Sequence, residues 1–333
     1  MKPKFHITNL CALAIIVLGA LFHFGCTKEG NTNCGIAIQF KYIKNVDNID
    51  KFGSSVSRID LYIYDEAGKF LKTYNVQSSQ LPGGGAYLPK DYTMTLRDIQ
   101  PGTYTLVAWG NYSTTHVSYK DATPSYDNAL LNLNITPTDR SPHTENFTLF
   151  WSNKERLIVA KDYKGTQLVT MEMTKFTNEI EFIATGLLVN PDNPSSIPFH
   201  SYITSKNGSY RFNGSYADDK RVTYDPYYVS PNDATTITSK FNILRELNSK
   251  LSDPRLIVTY DNSDGTTREI ANEPLADILI AIAHNNDNLK NTGNLDVDDV
   301  FVIRSHFDFD LTAGTVTITI QNWTNVTNPI PLR

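Results

Sequence analysis

Apolar and polar positions past residue 33 alternate with a period of two over many short segments. Residues 36–40 place Ile, Ile and Phe at every second position, and residues 59–63 place Ile, Leu and Ile in the same way. Successive side chains of a strand point to opposite faces, so this spacing predicts strands with one buried face. Further candidate strands are 92–96, 103–110, 129–135 and 146–151. Short strands at this spacing predict an all-β chain of two-sheet sandwiches.

Two turn signals separate neighbouring candidate strands in the first half of the chain. Asp65-Glu66-Ala67-Gly68 separates the segment 59–64 from 69–76, which is typical of a β-hairpin. Pro101-Gly102 predicts a turn into the strand that follows, because proline restricts φ and glycine tolerates positive φ. The segments up to Trp151 complete one unit. We therefore predict an N-terminal β-sandwich over residues 34–152.

The second half continues the strand pattern and adds one helix. Its candidate strands include 156–160, 167–173, 178–185, 257–261, 300–309 and 316–320, and we expect the last two to form an antiparallel pair. Pro274 suits the first turn of a helix, and apolar residues follow it at helical spacing at 275, 278, 279 and 282. We predict a C-terminal β-sandwich over residues 153–333, with this short helix covering a sheet.

The N-terminus has the pattern of an export signal. Lys2 and Lys4 precede an uninterrupted apolar run over residues 10–22. That run is about 13 residues long and therefore shorter than the roughly 20 residues of a membrane-spanning helix. Gly25-Cys26 follows and resembles the lipobox of bacterial lipoproteins, in which the cysteine is acylated. We predict a signal peptide over 1–25, a lipidated Cys26 with a linker over 26–33, and a lipid-anchored exported protein. The alternative is a soluble secreted protein that is cut nearby.

Composition and charge exclude several classes of protein. The chain of 333 residues is 40% hydrophobic and 20% charged, which describes a globular protein. Thirty Lys and Arg against 35 Asp and Glu give a net charge of −5, which argues against a nucleic-acid partner. Cys11 lies inside the apolar run, so Cys26 and Cys34 leave room for at most one disulfide. Stability must therefore come from packing.

One cluster has the residue types of a metal site. His306, Asp308 and Asp310 alternate along a predicted strand and share one face, where imidazole and carboxylates would suit a divalent metal. A solvated outer face needs the same pattern, and metal sites usually need a further ligand from elsewhere. We favour the solvated face.

The other chemical candidates are weaker. Asp296, Asp298 and Asp299 lie in a predicted turn but lack the EF-hand order, which favours loop capping over calcium binding. The glycine run 83–85 lacks the Lys-Ser/Thr of a phosphate loop and is interpreted as a flexible loop. No Gly-x-Ser-x-Gly elbow occurs in the sequence. We predict no catalytic residue, no metal site and no cofactor.

Three tryptophans raise the possibility of sugar stacking. Trp109, Trp151 and Trp323, with 18 tyrosines, would offer aromatic faces to a glycan. Trp109 and Trp151 end predicted strands, which favours the core or rim of a sandwich.

Two long segments resemble a known family. SRIDLYIYDEAGKF at 57–70 and LRDIQPGTYTLVAWGN at 96–111 resemble the N-terminal domain of the FimB-type fimbrial anchor lipoproteins of Bacteroidales. PLADIL at 274–279 resembles the family's helix after a strand hairpin, and VTITIQNW at 316–323 resembles its closing strand, without the family's glycine before the tryptophan. The similarity spans both halves, from about Cys26 to Trp323.

The resemblance implies two transthyretin-like β-sandwich domains on an outer-membrane lipoprotein. It implies a surface-exposed anchor or accessory subunit of a type V pilus, which contacts fimbrial stalk subunits, serves cell adhesion, limits fimbrial length and catalyses no reaction. A sandwich with an open sheet edge would pair with an extended segment of a neighbouring subunit.

Three further expectations concern the two ends of the chain and the runner-up function. Stalk subunits of the family lose an N-terminal strand to an arginine-directed protease, and a chain anchored through its own N-terminus should not be released in that way. The tail 324–333, with Pro329 and Pro331, would make a poor central donor strand, so we expect it to be exposed rather than inserted. The alternative function is a surface glycan-binding lipoprotein.

Overall fold

Most of the chain past residue 34 is described by a computed structural model. The residues described are 35–97, 99–136, 138–141, 147–160, 166–187, 198–217, 221–233, 235–245, 253–262, 264–284, 295, 297–310, 315–320 and 323–329. The predicted signal peptide, Cys26 and Cys34 lie outside them. No helix within these residues has the length and apolar character needed to cross a bilayer.

The first half of the chain forms two facing sheets. Strands β1 to β10 are, in order, Gly35–Lys41, Arg58–Asp65, Phe70–Gln77, Thr93–Leu96, Gly102–Gly110, Val117–Lys120, Leu130–Leu133, Phe150–Val159, Thr166–Glu172 and Thr174–Lys175, and helix α1 is Phe52–Ser55. One sheet has the order β4-β1-β9 and the other β10-β8-β5-β2-β3. Their inner faces share one buried core, which includes Ile38, Leu61 and Leu106. The predicted alternation places these residues inside.

The predicted division at residue 152 falls inside β8, which runs unbroken from Phe150 to Val159. Strand β9 then pairs in parallel with β1 along its whole length, from Gly35 opposite Thr166 to Lys41 opposite Glu172. The segments 156–160 and 167–173, which we assigned to the second half, therefore belong to the first pair of sheets. Parallel pairing of β1 with a strand more than a hundred residues later leaves no local signal in the sequence.

The second half forms another pair of sheets and carries a second helix. Strands β11 to β21 are, in order, Thr177–Thr185, Phe199–Ser205, Ser209–Arg211, Val222–Tyr224, Tyr228–Pro231, Ile237–Leu244, Arg255–Asp261, Thr267–Pro274, Val300–Asp310, Thr315–Ile320 and Trp323–Pro329, and helix α2 is Leu275–His284. The sheets have the orders β15-β16-β11-β19-β20-β21 and β14-β12-β17-β18. Helix α2 buries Leu275, Ile278 and Leu279 in the core they share. The predicted helix and the antiparallel pair of β19 with β20 are confirmed.

The C-terminal segment does not lie free of the sheets. Strand β21 pairs antiparallel with β20 and forms an outer edge of the six-stranded sheet. Pro329 stands at the end of this edge strand, opposite Thr315. Proline is tolerated there because one side of an edge strand has no neighbouring strand, so not every backbone N–H has to donate a hydrogen bond within the sheet. Strand β21 therefore pairs with a strand of its own chain, and the expectation that the tail is exposed rather than inserted stays a prediction.

A fifth sheet joins the two halves. Its order is β13-β7-β6, so a strand from the second half pairs with two strands from the first. It covers the outer face of β2 and β5, which explains why those strands are buried on both faces. The all-β class, with sheets packed in sandwiches and a short helix in the second half, is confirmed.

Candidate functional site: the junction of the two halves and the open sheet edges

Strand β1 occupies the centre of its sheet. It pairs antiparallel with β4 on one side and parallel with β9 on the other. Ile36, Ile38 and Phe40 are almost completely buried against the opposite sheet. Gly35, the first residue of β1, is separated from the predicted linker 26–33 by Cys34 alone. Any segment attached to the N-terminus is therefore continuous with the core of the first sandwich.

A polar cluster joins the end of β1 to the second half. The Tyr42 hydroxyl donates a hydrogen bond to Oδ2 of Asp299, and Nζ of Lys175 lies 3.9 Å from the same oxygen. Arg245 is fully buried and donates to the backbone oxygens of Lys175 and Leu295. Asp299 thus bridges strands of both halves, which corrects its interpretation as a residue that caps its own loop.

Burial shifts the ionisation of this cluster. Desolvation, with a smaller contribution from the negative charge of Asp299, raises the pKa of Tyr42 far above its usual value. Desolvation lowers the pKa of the Lys175 ammonium, although Asp299 opposes the shift. Desolvation also raises the pKa of Asp298, which is buried beside Asp299. Removing one partner of such a buried set leaves an uncompensated polar group, so these contacts hold the two halves in one arrangement.

An aromatic cluster forms the apolar part of the junction. Phe212 follows β13 and is fully buried among rings of the first half. Its ring centroid lies 5.1 Å from Tyr62, 5.6 Å from Tyr119 and 5.8 Å from Trp109, with interplanar angles between 63° and 75°. Edge-to-face pairs of this kind contribute about 0.5–1.5 kcal/mol each beyond the burial of area. Trp109, predicted to lie in the core or rim of a sandwich, is one wall of this cluster.

Backbone hydrogen bonds fix the same contact. Ser209, Tyr210 and Arg211 of β13 pair antiparallel with Asn132, Leu131 and Leu130 of β7. The Leu133 N–H donates to the Gly208 oxygen at 2.8 Å, and the Phe212 N–H donates to the Ala129 oxygen at 3.1 Å. Nε1 of Trp151 also donates to the Phe212 oxygen at 3.0 Å. Main-chain pairing, ring packing and buried charge together fasten the two halves.

The outer strands of the sheets differ in how far they are protected against pairing with another chain. Strand β15 is four residues long and ends at Pro231, and β3 carries Lys69 beside it and Lys72 within it. The other side of β14 is paired, since Thr223 forms a bridge with Arg140. Short strands, proline, lysine and a covering segment are the usual means of blocking a sheet edge.

Strand β9 lacks these protections. It is seven residues long (TQLVTME), with neither lysine nor proline, and Leu168 is 63% exposed. Within the described residues no strand pairs with the side of β9 that faces away from β1. Near its start, Nε2 of Gln167 donates to the Ile158 oxygen of β8 at 3.3 Å. Strand β9 is therefore an open edge at which an extended segment would continue a sheet.

The chemical candidates from the sequence do not converge. His306 and Asp308 point to solvent from β19, with Nδ1 of His306 3.1 Å from the Thr185 hydroxyl, as the solvated face predicted. The side chain of Asp310, and all of Asp296, lie outside the described residues. Where side chains are described, no three His, Cys, Asp or Glu residues group as metal ligands would. The sequence offered no signal for the junction, because Tyr42 and Asp299 are 257 positions apart.

Comparisons with known proteins agree on one family. The family described as fimbrillin-A associated anchor proteins Mfa1 and Mfa2 matches residues 29–329. No curated protein sequence matches. The fimbrial anchor protein Mfa2 from Porphyromonas gingivalis has a similar structure, with a TM-score of 0.68 and 20% identity over 88% of this chain and 99% of that one.

Two Bacteroides structures share the fold as well. A candidate adhesin from Bacteroides ovatus has a TM-score of 0.68 and 18% identity over 90% of this chain and 98% of its own. A candidate polysaccharide binding protein from Bacteroides thetaiotaomicron has a TM-score of 0.66 and 21% identity over 88% of this chain and 97% of its own. The resemblance seen in the sequence is thus confirmed. This chain belongs to the family of fimbrillin-A associated anchor proteins.

Proposed function

We propose that this chain is an outer-membrane lipoprotein, cleaved after residue 25 and acylated at Cys26, that attaches a fimbria to the cell surface and limits its length. The observation that carries the proposal is the position of β1, which follows the N-terminal linker and lies at the centre of its sheet. Residues 27–34 span at most about 30 Å when fully extended. Lipid at Cys26 would therefore hold the Gly35 end of the first sandwich near the bilayer.

The hydrogen bonding of β1 suits it to bear a load. A pull between membrane and fibre enters the protein along β1, which is bonded on both edges. Such a pull strains all the bonds of two ladders together instead of opening them one after another. The buried side chains of Ile36, Ile38 and Phe40 add about 1.5–3 kcal/mol each. The contacts at Phe212 and Asp299 would then pass the load to the second half.

The same strand offers a reason for limited fibre length. A subunit that gives up its N-terminal strand opens a groove for the next subunit. Here the strand in that position would be tied to the lipid, and its loss would expose Ile38 and Phe40, which are completely buried. A subunit that keeps its own strand accepts no strand at that position, so it would end the fibre.

Strand β9 is the edge that we propose for the fimbrial stalk subunit. An extended segment of the stalk would pair along it, with affinity from main-chain hydrogen bonds and from contact with Leu168. The lysines of β3 and the proline of β15 make those edges poorer acceptors. We propose no reaction, cofactor or nucleic-acid partner for this chain.

Metabolic labelling tests the lipid attachment. Host cells fed a clickable palmitate analogue should label the wild-type chain and the Cys34→Ala variant, and both should sediment with outer membranes. Cys26→Ala should take up no label and leave the outer-membrane fraction. Label that persists in Cys26→Ala, or a wild-type chain without label, would refute acylation at this residue.

A further inference from the structure

A polar pocket lies at the end of the first sandwich away from Gly35. It has a volume of about 620 Å³ and is lined at the start of β2, the end of β3 and the segment after β5. Tyr42 follows β1, and its ring contacts Phe150 at 4.9 Å, which places this end opposite the start of β1. The volume falls within the range of small-molecule sites. The proposed anchoring function does not use this pocket.

The pocket offers many hydrogen bonds and little charge. Ser57, Ser79, Ser113 and Thr148 line it, and the Ser57 hydroxyl already donates to Oδ1 of Asn111 at 3.1 Å. Arg58 is the one lysine, arginine, aspartate or glutamate in its described lining, and its Nε and Nη2 donate to Asp60 at 3.0–3.1 Å. That carboxylate offsets the guanidinium charge. A charged ligand would find no free counter-charge here, and an apolar ligand would strip water from hydroxyls without replacing their hydrogen bonds.

One histidine ring nitrogen in the pocket wall is buried without a hydrogen-bond partner in the described part of the chain. Nδ1 of His116 is inaccessible to solvent and makes no hydrogen bond within the described residues. Its ring packs against Phe147 at 4.6 Å, which fixes the position of the imidazole. Burial lowers the pKa of His116, so the ring is neutral near pH 7. His116 therefore adds no charge to this wall of the pocket.

An exposed aromatic ring stands at the rim. Tyr87 is 47% exposed and follows the glycine run 83–85, which we interpreted from the sequence as a flexible loop. Tyr112, the other tyrosine of the lining, stacks on Tyr119 at 4.2 Å and has the Arg58 guanidinium 5.2 Å from its ring centroid. Tyr87 is therefore the ring available for stacking against a ligand.

We propose that this pocket binds a neutral carbohydrate, with the Tyr87 ring against an apolar face of the sugar and the serine hydroxyls bonded to its hydroxyls. Sugars combine apolar C–H faces with a rim of hydroxyls, which matches one exposed ring above an uncharged polar wall. At the end of the first sandwich away from Gly35, the site would be separated from the lipid by the length of that sandwich. It would give a fimbrial anchor a second, independent contact with glycans.

Saturation-transfer NMR on the mature lipoprotein, purified in a detergent without a sugar head group, tests the site. The probes are the methyl glycosides of glucose, galactose, mannose and N-acetylglucosamine, with N-acetylneuraminic acid as an anionic comparison. We expect transfer to at least one neutral glycoside, and binding about tenfold weaker in Tyr87→Ala. Tyr228→Ala, which removes a tyrosine that is 46% exposed on β15, should bind like the wild type.

Three results would overturn the carbohydrate site. They are no transfer to any neutral glycoside, transfer to N-acetylneuraminic acid alone, and undiminished binding by Tyr87→Ala. Fimbrial attachment is scored separately by microscopy and should be normal in Tyr87→Ala cells. Results that refute carbohydrate binding would therefore not refute the proposed anchoring function.

Discussion

The ring of Phe212 from the second half lies edge-on to the ring of Tyr62 in β2 of the first half, with centroids 5.1 Å apart and planes at 74°. Tyr62 faces outward from the first sandwich, and in an isolated sandwich that face would be wet. The segment of β13 and Phe212 covers it. The two halves therefore share a core, and their separation would expose these aromatic rings to water.

Loss of the Phe212 ring should destabilise the whole chain. Phe212→Ala leaves a cavity among Tyr62, Trp109 and Tyr119, and we expect the free energy of unfolding to fall by about 3–5 kcal/mol. Urea unfolding followed by tryptophan fluorescence measures the change, since Trp109 contacts the ring. Tyr228→Ala, which truncates an exposed ring, should stay within about 0.5 kcal/mol of the wild type. Equal effects of the two variants would show that Phe212 does not join the halves.

The polar contact across the junction predicts a smaller effect. Tyr42→Phe keeps the ring but removes the hydrogen bond to Asp299, so we expect a loss of about 1.5–3 kcal/mol in urea unfolding. Tyr87→Phe removes a hydroxyl from an exposed tyrosine and serves as the control. If Tyr42→Phe were as stable as the wild type, water would replace the hydrogen bond to Asp299 without any loss of stability.

Alkaline pH should unfold the protein because its buried tyrosines retain their protons. Burial raises the pKa of Tyr42, Tyr62, Tyr64 and Tyr119 above the usual tyrosine value of about 10. Above pH 10 the unfolded chain loses these protons first and binds fewer than the folded chain, so the free energy of unfolding falls as pH rises. The contribution is complete below pH 10. Phenolate absorbance from these tyrosines should appear together with the loss of sheet circular dichroism, whereas full titration of all 18 tyrosines in the folded state would contradict the account.

Two glycines with the same backbone conformation should differ in what they tolerate. Gly186 has φ +77°, and a Cβ there would lie 2.1 Å from the Phe307 oxygen. Gly265 has φ +83°, with no atom within 4 Å of such a Cβ. Gly265→Ala should cost about 1–2 kcal/mol through its left-handed φ alone. Gly186→Ala should cost about 1–3 kcal/mol more in thermal or urea unfolding, because β19 must shift. Equal costs would mean that β11 and β19 separate easily at this point.

A lysine placed on either of two edge strands tests which edge contacts the fimbrial stalk subunit. Leu168→Lys places a lysine on β9, and Leu71→Lys places one on β3, where the leucine is 45% exposed. We expect Leu168→Lys cells to shed fimbriae and Leu71→Lys cells to keep them. The reverse pattern would assign the junction to β3, and both variant proteins should fold, as circular dichroism would verify.

Local pattern was sufficient for much of the fold. The alternation at Ile36, Ile38 and Phe40, the hairpin at Gly68, helix α2 and the hairpin of β19 with β20 all depend on neighbours a few positions apart. Strand identity and helix spacing are set at that range.

Long-range pairing was beyond the same reasoning. The parallel contact of β1 with β9 and the return of β13 to β7 join segments that carry no mutual signal in one sequence. For this reason residue 152 was wrongly chosen as a domain boundary. For the same reason the sequence did not show that β2, which carries Tyr62, is buried on both faces. Asp299 was likewise interpreted from its own turn, because Tyr42 lies in the other half of the chain.

The central claim is anchorage through the lipid, and electron microscopy of host cells tests it most directly. Cells that lack the gene would be complemented with the wild type, Cys26→Ala or Cys34→Ala, and fimbriae counted on cells and in the medium. The account predicts attached fibres of normal length with the wild type and Cys34→Ala, and long, shed fibres with Cys26→Ala. Attached fibres of normal length in the Cys26→Ala strain would contradict it.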